Sequence, residues 1–513
     1  MGGSSDRSVA ADDNVWFFPR YKSTPPKFLF ALFVMLNLIT MIDRGILPGS
    51  SSKFAAFVGL AGDPPAVFKR NPDAALGLLQ AAYIVGYTVA ILISSHMAHT
   101  RKWKNLISVG MSVWFLAVIG SGLSFAASSF YLLLFSRIVT GVAEASFHVV
   151  APPIIQDRGG AHSGFYLSIY LAAMPVGLST GYVYGFFLGD NENLGWQWAY
   201  FFLAIASAPI ILACFFVRDS ANGGILPGGT LVHKETVLHK DGKPGKLHQM
   251  TYWDEIAVCL SSPVLIYTIL GYSVMIAVVS VLGTFGGAFV LALELFDDEK
   301  TASLFFGFAA ACAGIIGMPI GGLIADRVLE KHGGGNRDEA SFRILPPMLT
   351  AVNMCVIASI LSCWPTTITS NPGLFLLFLF FGWTFLFMAQ SGVAFSIMMS
   401  VPSIYRPNAL ACSALLSHAL GDVPAPIIFG ALKDQMAPAC IISPDGEFQD
   451  PDECRTQHKG VRVTLAVMFA YMSFAALFFE LARRGAQSQL SKKSHEQKGD
   501  ADSLFDPVEG GLT

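Results

Sequence analysis

Three side chains that can carry charge or protons recur on one face of a predicted membrane helix. Arg137, Glu144 and His148 are separated by seven and then by four residues. At about 100° per residue, both steps return to nearly the same face of an α-helix, so the three side chains form one stripe. Their neighbours are apolar, and a charged group in such a segment costs about 2.5–3.5 kcal/mol unless it faces a partner or a wet cavity. The stripe predicts a site that binds substrate or handles protons; a buried pair that only holds helices together is the alternative.

Other ionisable side chains lie in other apolar segments. Asp43 and Arg44 are neighbours in the first segment, and His418 and Asp422 lie four residues apart in the eleventh. Together with the stripe, we expect them to line a cavity for proton coupling or substrate. Neighbouring side chains leave a helix about 100° apart, so Asp43 and Arg44 cannot simply pair, and at least one must reach another helix. A lone histidine in a helix interior is usually a hydrogen-bonded packing residue, so we expect no metal at His148 or His418.

The composition indicates an integral membrane protein that is mainly helical. The chain has 513 residues, of which 53% are hydrophobic and only 13% charged, and its mean hydropathy is +0.54. A soluble domain does not need so much apolar sequence. The net charge is −3 and no large basic patch is present, so a nucleic-acid partner is not expected.

Twelve apolar runs are long enough to cross a bilayer, which takes about 20 residues each. They fall near 28–48, 74–97, 105–127, 130–154, 164–188, 198–217, 264–291, 302–324, 343–363, 373–399, 408–431 and 461–482. With both termini cytoplasmic, the inside segments carry about three times as many Lys and Arg residues as the outside segments, as the positive-inside rule requires. We number these runs as spans 1 to 12.

A polar segment divides the spans six and six. We therefore predict a cytoplasmic N-terminal tail, a six-helix bundle, a cytoplasmic central loop, a second six-helix bundle and a cytoplasmic C-terminal tail, at 1–27, 28–217, 218–262, 263–483 and 484–513. The end of the central loop, TYWDEIAVCLSS, is typical of a short amphipathic helix on the membrane surface. The tail after Arg484 is polar, and we expect it to be irregular. Glycines four residues apart on span 5, at 177, 181 and 185, predict a tight helix contact.

The cytoplasmic end of span 8 carries a loop signature. It reads GGLIADR, with the residues Gly321, Gly322, Asp326 and Arg327. A helix end with glycines, followed by an acid and a base at the membrane surface, resembles the loop signature of the major facilitator superfamily. The equivalent place after span 2 reads SSHMAHTRKWK, where His99 stands at the position of the acid and Thr100 at that of the base.

Four further segments together resemble the Spinster branch of that superfamily. They are NLITMIDRGILPG on span 1, RIVTGVAEASFHVVAPPIIQD on span 4, MPVGLSTGYVYG on span 5 and LLSHALGDVPAPIIFG on span 11. The resemblance covers about 28–482 and implies a transporter of sphingosine-1-phosphate or lysophospholipids. It also implies that Asp43 and Arg44 are the acid and base of span 1, and that Arg137 and Glu144 handle the proton or an anionic headgroup.

We therefore predict a secondary transporter with two six-helix bundles, working by alternating access. Transport would be coupled to protonation of Asp43 or Glu144, and the favoured substrate is an amphipathic anionic lipid. The runner-up is a small organic anion or a sugar, and the competing class is a sensor or scaffold that does not transport. We expect no enzymatic activity and no cofactor, since the G-x-S-x-G match at 177–181 lies inside a membrane helix rather than at a strand-to-helix turn.

The expected partners are the substrate, membrane lipids and protons, and the chain is expected to be a monomer. The sequence fits a plasma membrane and an endolysosomal membrane equally well.

Cys440 and Cys454 share the long outside loop and are expected to form a disulfide. His99 is expected to latch the first bundle less firmly than Asp326 latches the second. Finally, we expect Arg137 to alternate between Glu144 and the substrate.

Overall fold

The computed structural model describes residues 26–50, 54, 57–58, 72–189, 195–217, 252–296, 299–333, 337–440 and 451–504. Within these ranges the chain is helical and contains no strand. Eleven of the described helical segments are long and apolar enough to cross a membrane. The predicted all-α membrane architecture is therefore confirmed.

The first half of the chain contains seven described helices. They are α1 (Pro26–Gly49), α2 (Pro72–Thr100), α3 (Trp103–Ala126), α4 (Phe130–His148), α5 (Ala151–Arg158), α6 (Ser163–Gly189) and α7 (Gln197–Phe215). Span 4 is divided between α4 and α5. Span 5 is α6, whose 27 residues are enough to cross a bilayer.

The second half contains ten described helices. They are α8 (Tyr252–Leu260), α9 (Pro263–Ala292), α10 (Glu299–His332), α11 (Arg337–Cys363), α12 (Pro372–Met399), α13 (Arg406–Ser417), α14 (Pro424–Met436), α15 (Pro451–Cys454), α16 (His458–Tyr471) and α17 (Ser473–Leu504). Helix α8 is the helix predicted within TYWDEIAVCLSS. The rest of the central loop, up to residue 251, lies outside the described residues.

The chain forms two compact units. The first comprises Met1–Arg158 and Val176–His248, and the second comprises Gly159–Pro175 and Gln249–Thr513. The predicted bundle bounds stay a prediction, and the first half of α6 belongs with the second unit. The reason is a set of contacts between that half and α10: Asp326 accepts hydrogen bonds from the Gly164 and Phe165 amides.

Glycines bring helices of the first unit into backbone contact. A Cβ added at Gly181 or Gly185 would collide with the main chain of Ile42 or Ile46 on α1. Likewise, a Cβ at Gly86 on α2 would collide with the main chain of α4, and one at Gly141 on α4 with the main chain of α2. Only glycine allows such an approach. The contact predicted from the span 5 glycines is therefore present, and its partner is α1.

The C-terminal tail is helical, and the expectation of an irregular tail is wrong within the described residues. Helix α17 continues from the membrane-spanning part to Leu504. Glu480 accepts hydrogen bonds from Arg483 and Arg484, three and four residues later, and such pairs stabilise a helix. The Lys493 ammonium also lies 3.7 Å from the ring centre of Phe342 on α11, which ties the extension to the second unit.

Candidate functional site

Asp43 and Arg44 both reach from α1 to α4, but they reach different residues. The Asp43 Oδ1 and Oδ2 atoms accept hydrogen bonds from Arg137 Nη2 and Nη1, at 2.9 Å and 3.3 Å. The Arg44 Nη2 atom lies 2.7 Å from Glu144 Oε1. Two acids and two bases thus form two ion pairs, and their formal charges cancel inside the first unit.

The expected pairing of Arg137 with Glu144 is wrong. These residues are seven apart on one helix, which separates them by about 10 Å along the axis at 1.5 Å per residue. Arg137 therefore takes Asp43, and Glu144 takes Arg44. The argument that neighbours on α1 cannot pair with each other holds, since both side chains leave α1 for α4.

The Asp43–Arg137 pair is sealed from solvent. The exposed fraction of the side chain is 4% for Arg137 and zero for Asp43. Arg137 Nη2 also donates a hydrogen bond of 3.0 Å to Ser121 Oγ on α3, and its guanidinium lies 5.2 Å from the ring centre of Tyr200 on α7. The bidentate geometry and the additional donor–acceptor contact are what a buried ion pair needs to offset desolvation. This pair joins α1, α3, α4 and α7.

The Arg44–Glu144 pair is different, because its cation is partly accessible. The Arg44 side chain is 22% exposed, whereas Glu144 is fully buried. Tyr83 on α2 donates a hydrogen bond of 2.7 Å to Glu144 Oε2, and the Arg44 guanidinium lies 4.4 Å from the Tyr83 ring centre. Arg44 Nε has no hydrogen-bond partner among the described residues. Arg137 Nε is buried and unpaired in the same way, so the two arginines differ in exposure, not in unpaired Nε atoms.

His148 connects this pair to further polar groups. Its Nε2 atom lies 3.4 Å from Glu144 Oε1 and 3.3 Å from Asn37 Oδ1 on α1. Its Nδ1 atom lies 3.2 Å from the Tyr87 hydroxyl on α2. A protonated imidazole would donate to these acceptors and add positive charge beside Glu144. Glu144, His148 and Arg44 therefore form one cluster of charged and titratable side chains.

Sequence reasoning missed four polar residues of this cluster. Tyr83, Tyr87, Asn37 and Ser121 all contact one of the charged or imidazole groups. The tyrosines are four residues apart, so they share one face of α2, and that spacing is the signal that could have identified them. The glycine contact between α2 and α4 then brings this face onto Glu144.

His418 and Asp422 form a second titratable pair, within the second unit. His418 Nδ1 lies 2.9 Å from Asp422 Oδ2, and each side chain is 18% exposed. They occupy a π-helical turn, in which the Val423 amide donates to the His418 carbonyl five residues earlier. Pro424 follows and has no N–H, so the regular hydrogen-bond ladder cannot continue through it.

Two residues of the loop signature, Asp326 and Gly322, contact the first turn of α6. Asp326 Oδ1 and Oδ2 accept from the amides of Gly164 and Phe165, at 2.6 Å and 3.0 Å. These amides lie in the first turn of α6, where N–H groups lack helical partners and attract negative charge. Gly322 allows the close approach, since a Cβ there would collide with the Gly164 carbonyl. Gly321 packs likewise on the main chain of Met388, and Arg327 is exposed.

His99 lies in the last turn of α2, and its side chain is outside the described part of the structure. Cys440 and Cys454 are joined by a disulfide, with their Cα atoms 4.8 Å apart. The bond connects the segment after α14 to α15, across residues 441–450, which are not described.

Comparison with known proteins gives concordant relatives. The chain is 28% identical over 438 residues to the "Probable sphingolipid transporter spinster homolog 1" of Arabidopsis thaliana, covering 80% of this chain and 84% of that one. It is 24% identical over 509 residues to the human protein spinster homolog 1, covering 94% and 87%. The predicted resemblance to Spinster proteins is thereby confirmed.

Solved structures share the fold. A bacterial homolog of the human lysosomal transporter Spinster matches with a TM-score of 0.58 at 17% identity, over 91% of this chain and 98% of that one. A proton:xylose symporter matches with a TM-score of 0.61 at 15% identity, over 88% and 94%. The family model of the Major Facilitator Superfamily matches residues 30–426. The chain therefore belongs to the Major Facilitator Superfamily of membrane transporters.

Proposed function

We propose that this protein carries an amphipathic anionic lipid, a lysophospholipid or a sphingoid phosphate, by proton-linked alternating access. The observation that carries the proposal is the unequal exposure of the two arginines. Arg137 is sealed on Asp43, while the Arg44 side chain is 22% exposed. Arg44, rather than Arg137, is thus the group that meets the headgroup.

The mechanism is an exchange of partners at Arg44. When Glu144 is ionised, its Oε1 atom holds Arg44 Nη2 at 2.7 Å. Protonation of Glu144 removes the negative charge, and the guanidinium then offers its N–H groups to the headgroup oxygens. Loss of the proton restores the carboxylate, which competes for Arg44 and favours substrate release. One buried carboxylate thereby links proton binding to substrate binding.

His148 and the second unit extend this proton chemistry. His148 lies within 3.4 Å of Glu144 and can pass a proton to it or take one from it. The His418–Asp422 pair is partly exposed and provides a second titratable pair. We assign it a part in proton or substrate handling in the second unit. The Asp43–Arg137 pair, in contrast, holds its four helices in place.

The relatives support a lipid as the substrate. Two Arabidopsis thaliana proteins that match this chain at 28% and 29% identity are described as probable sphingolipid transporters. The excess of Lys and Arg in the predicted inside segments supports placing both termini in the cytoplasm.

Flux through the purified protein in proteoliposomes tests the proposal. The panel contains sphingosine-1-phosphate, a lysophospholipid, a hexose and a dicarboxylate, each measured with and without an imposed pH gradient. We expect saturable movement of one of the lipids that changes with the gradient. Movement of the hexose or the dicarboxylate alone would support the runner-up class, and absence of flux for all four would favour a sensor or scaffold.

A further inference from the structure

Tyr83 contacts both members of the Arg44–Glu144 pair, each through a different part of its side chain. Its hydroxyl donates to Glu144 Oε2 at 2.7 Å, and the face of its ring covers the Arg44 guanidinium at 4.4 Å. The residue is 5% exposed, so both contacts are shielded from water. No other described tyrosine has its hydroxyl on one member of this pair and its ring on the other.

Resting on the proposed function, we propose that Tyr83 is a positioning residue that sets the pH at which Arg44 is released to the substrate. The hydroxyl stabilises the ionised form of Glu144, because a carboxylate accepts a stronger hydrogen bond than a neutral acid does. The ring contacts the guanidinium face and uses none of its N–H groups. Tyr83 therefore adjusts proton affinity and holds Arg44 in place without competing with an anionic ligand.

The other groups around Glu144 have separate tasks. Arg44 on α1 supplies the opposing charge, and His148 on α4 is the neighbouring titratable group. Tyr87 on α2 lies farther from Arg44, at 5.7 Å, and its hydroxyl faces His148. Asp43 is held by Arg137. Tyr83 is thus the neutral donor to Glu144. Removing its hydroxyl changes the proton affinity of Glu144 directly and leaves every charged group in place.

Infrared difference spectroscopy of the full chain in lipid nanodiscs tests this without a substrate. Protonation of Glu144 gives a carboxylic-acid band, which is identified by its loss in Glu144→Gln. In Tyr83→Phe, which keeps the ring, we expect the pH midpoint of this band to rise by about one unit, a tenfold gain in proton affinity that matches the loss of one hydrogen bond to a charged group.

Tyr184→Phe is the matched control. Tyr184 lies in the same unit and its hydroxyl donates to the Ala199 carbonyl at 3.0 Å, so the change deletes a hydroxyl that touches no charged group. The midpoint should then stay at the wild-type value. An unchanged midpoint in Tyr83→Phe would overturn the proposal, and so would an equal rise in both variants.

A transport assay separates the ring from the hydroxyl. Tyr83→Phe should shift the pH profile of lipid uptake and leave KM at low pH nearly unchanged, because the ring still supports Arg44. Tyr83→Leu should raise that KM about fivefold, since the cation–π contact is lost. Equal KM values in the two variants would remove the role given to the ring. If no lipid is transported, the infrared result still decides the role of the hydroxyl.

Discussion

Arg44 and Arg137 are both arginines inside membrane spans, yet their surroundings give them different tasks. Arg137 donates hydrogen bonds from two nitrogens to Asp43 and a further one to Ser121. Arg44 donates one short hydrogen bond to Glu144, and its side chain is more exposed. A sealed bidentate pair favours a fixed arrangement of helices. A partly exposed pair favours exchange with a ligand.

Arginine-to-lysine changes separate these tasks. Arg44→Lys keeps the charge and loses the planar fork, so we expect normal amounts of folded protein and a KM for lipid raised about tenfold. Arg137→Lys breaks one of the two bonds to Asp43 inside a buried pair, so we expect less folded protein and a nearly normal KM in what remains. Initial uptake rates, normalised to protein that elutes as a single species in detergent, provide the measurement.

Arg462→Lys is the control for these variants. Arg462 donates to the Thr367 carbonyl and the Ser370 hydroxyl in the second unit and belongs to neither ion pair. It should behave as wild type. A raised KM in Arg137→Lys combined with a normal KM in Arg44→Lys would reverse the assignment.

The sequence named the charged residues of this cluster but could not pair them. Asp43, Arg44, Arg137 and Glu144 stand out because charge inside an apolar span is expensive. Their pairing depends on the register and rotation of α1 against α4, which follow from tertiary packing. Tyr83 was missed for another reason: a tyrosine in an apolar span is unremarkable until a partner for its hydroxyl is known.

At the level of helices, α6 begins at the carboxylate of Asp326. Two N–H groups of its first turn donate to that carboxylate, and glycine at 322 allows the contact. The sequence predicted that Asp326 would latch the second bundle, but the helix end that it contacts became visible only in the structure. The first half of α6 groups with the second unit through this contact.

Replacing Asp326 tests this contact. Asp326→Asn keeps an acceptor oxygen but loses the charge that stabilises the N-terminus of α6, an effect of about 1 kcal/mol. We expect transport to fall at least fivefold. His99→Asn at the equivalent place after span 2 should lose much less, because a neutral imidazole supplies no such charge. Uptake rates at equal amounts of folded protein are compared, and equal losses would show that both loops share the task.

The disulfide Cys440–Cys454 supports the region between α14 and α16. Lys433 on α14 is buried and donates to the Cys440 carbonyl, so the bridge is continuous with the helix before it. Closing a loop of this length contributes about 3 kcal/mol. Cys440→Ser together with Cys454→Ser should lower the melting temperature of the purified protein by several degrees, and reductant should lower that of the wild type equally. Free reactivity of both native thiols toward alkylation in intact membranes would argue against the bridge.

Other details of the helices were beyond sequence reasoning. The π-helical turn at His418–Asp422 arises because Pro424 interrupts the ladder, and a proline in a span predicts an irregularity without specifying its kind. The tail after Arg484 was expected to be irregular from its polarity alone. Its helix depends on ion pairs at Glu480 and on the contact of Lys493 with Phe342, and the second of these is not visible in the sequence.

For the whole molecule, composition and span count were sufficient for the class of protein. The apolar content required a membrane, and the six-and-six division with its loop signature indicated the superfamily, which the family model confirms. The boundary between the compact units was not predictable, because it runs through α6 rather than through a loop. The identities of the substrate and of the coupling ion depend on individual side chains, so experiments are needed to determine both.

The most direct test of the partner exchange at Arg44 is the pH profile of lipid uptake in Glu144→Gln. Wild-type loading should fall as the pH rises, because ionised Glu144 takes Arg44 away from the headgroup. Glu144→Gln removes that competitor, so loading should stay high and independent of pH. Glu255→Gln, at a glutamate that accepts a hydrogen bond from Asn408 in the second unit, should keep the wild-type profile. Initial rates are measured in proteoliposomes and normalised to folded protein; a wild-type pH profile in Glu144→Gln would contradict the account.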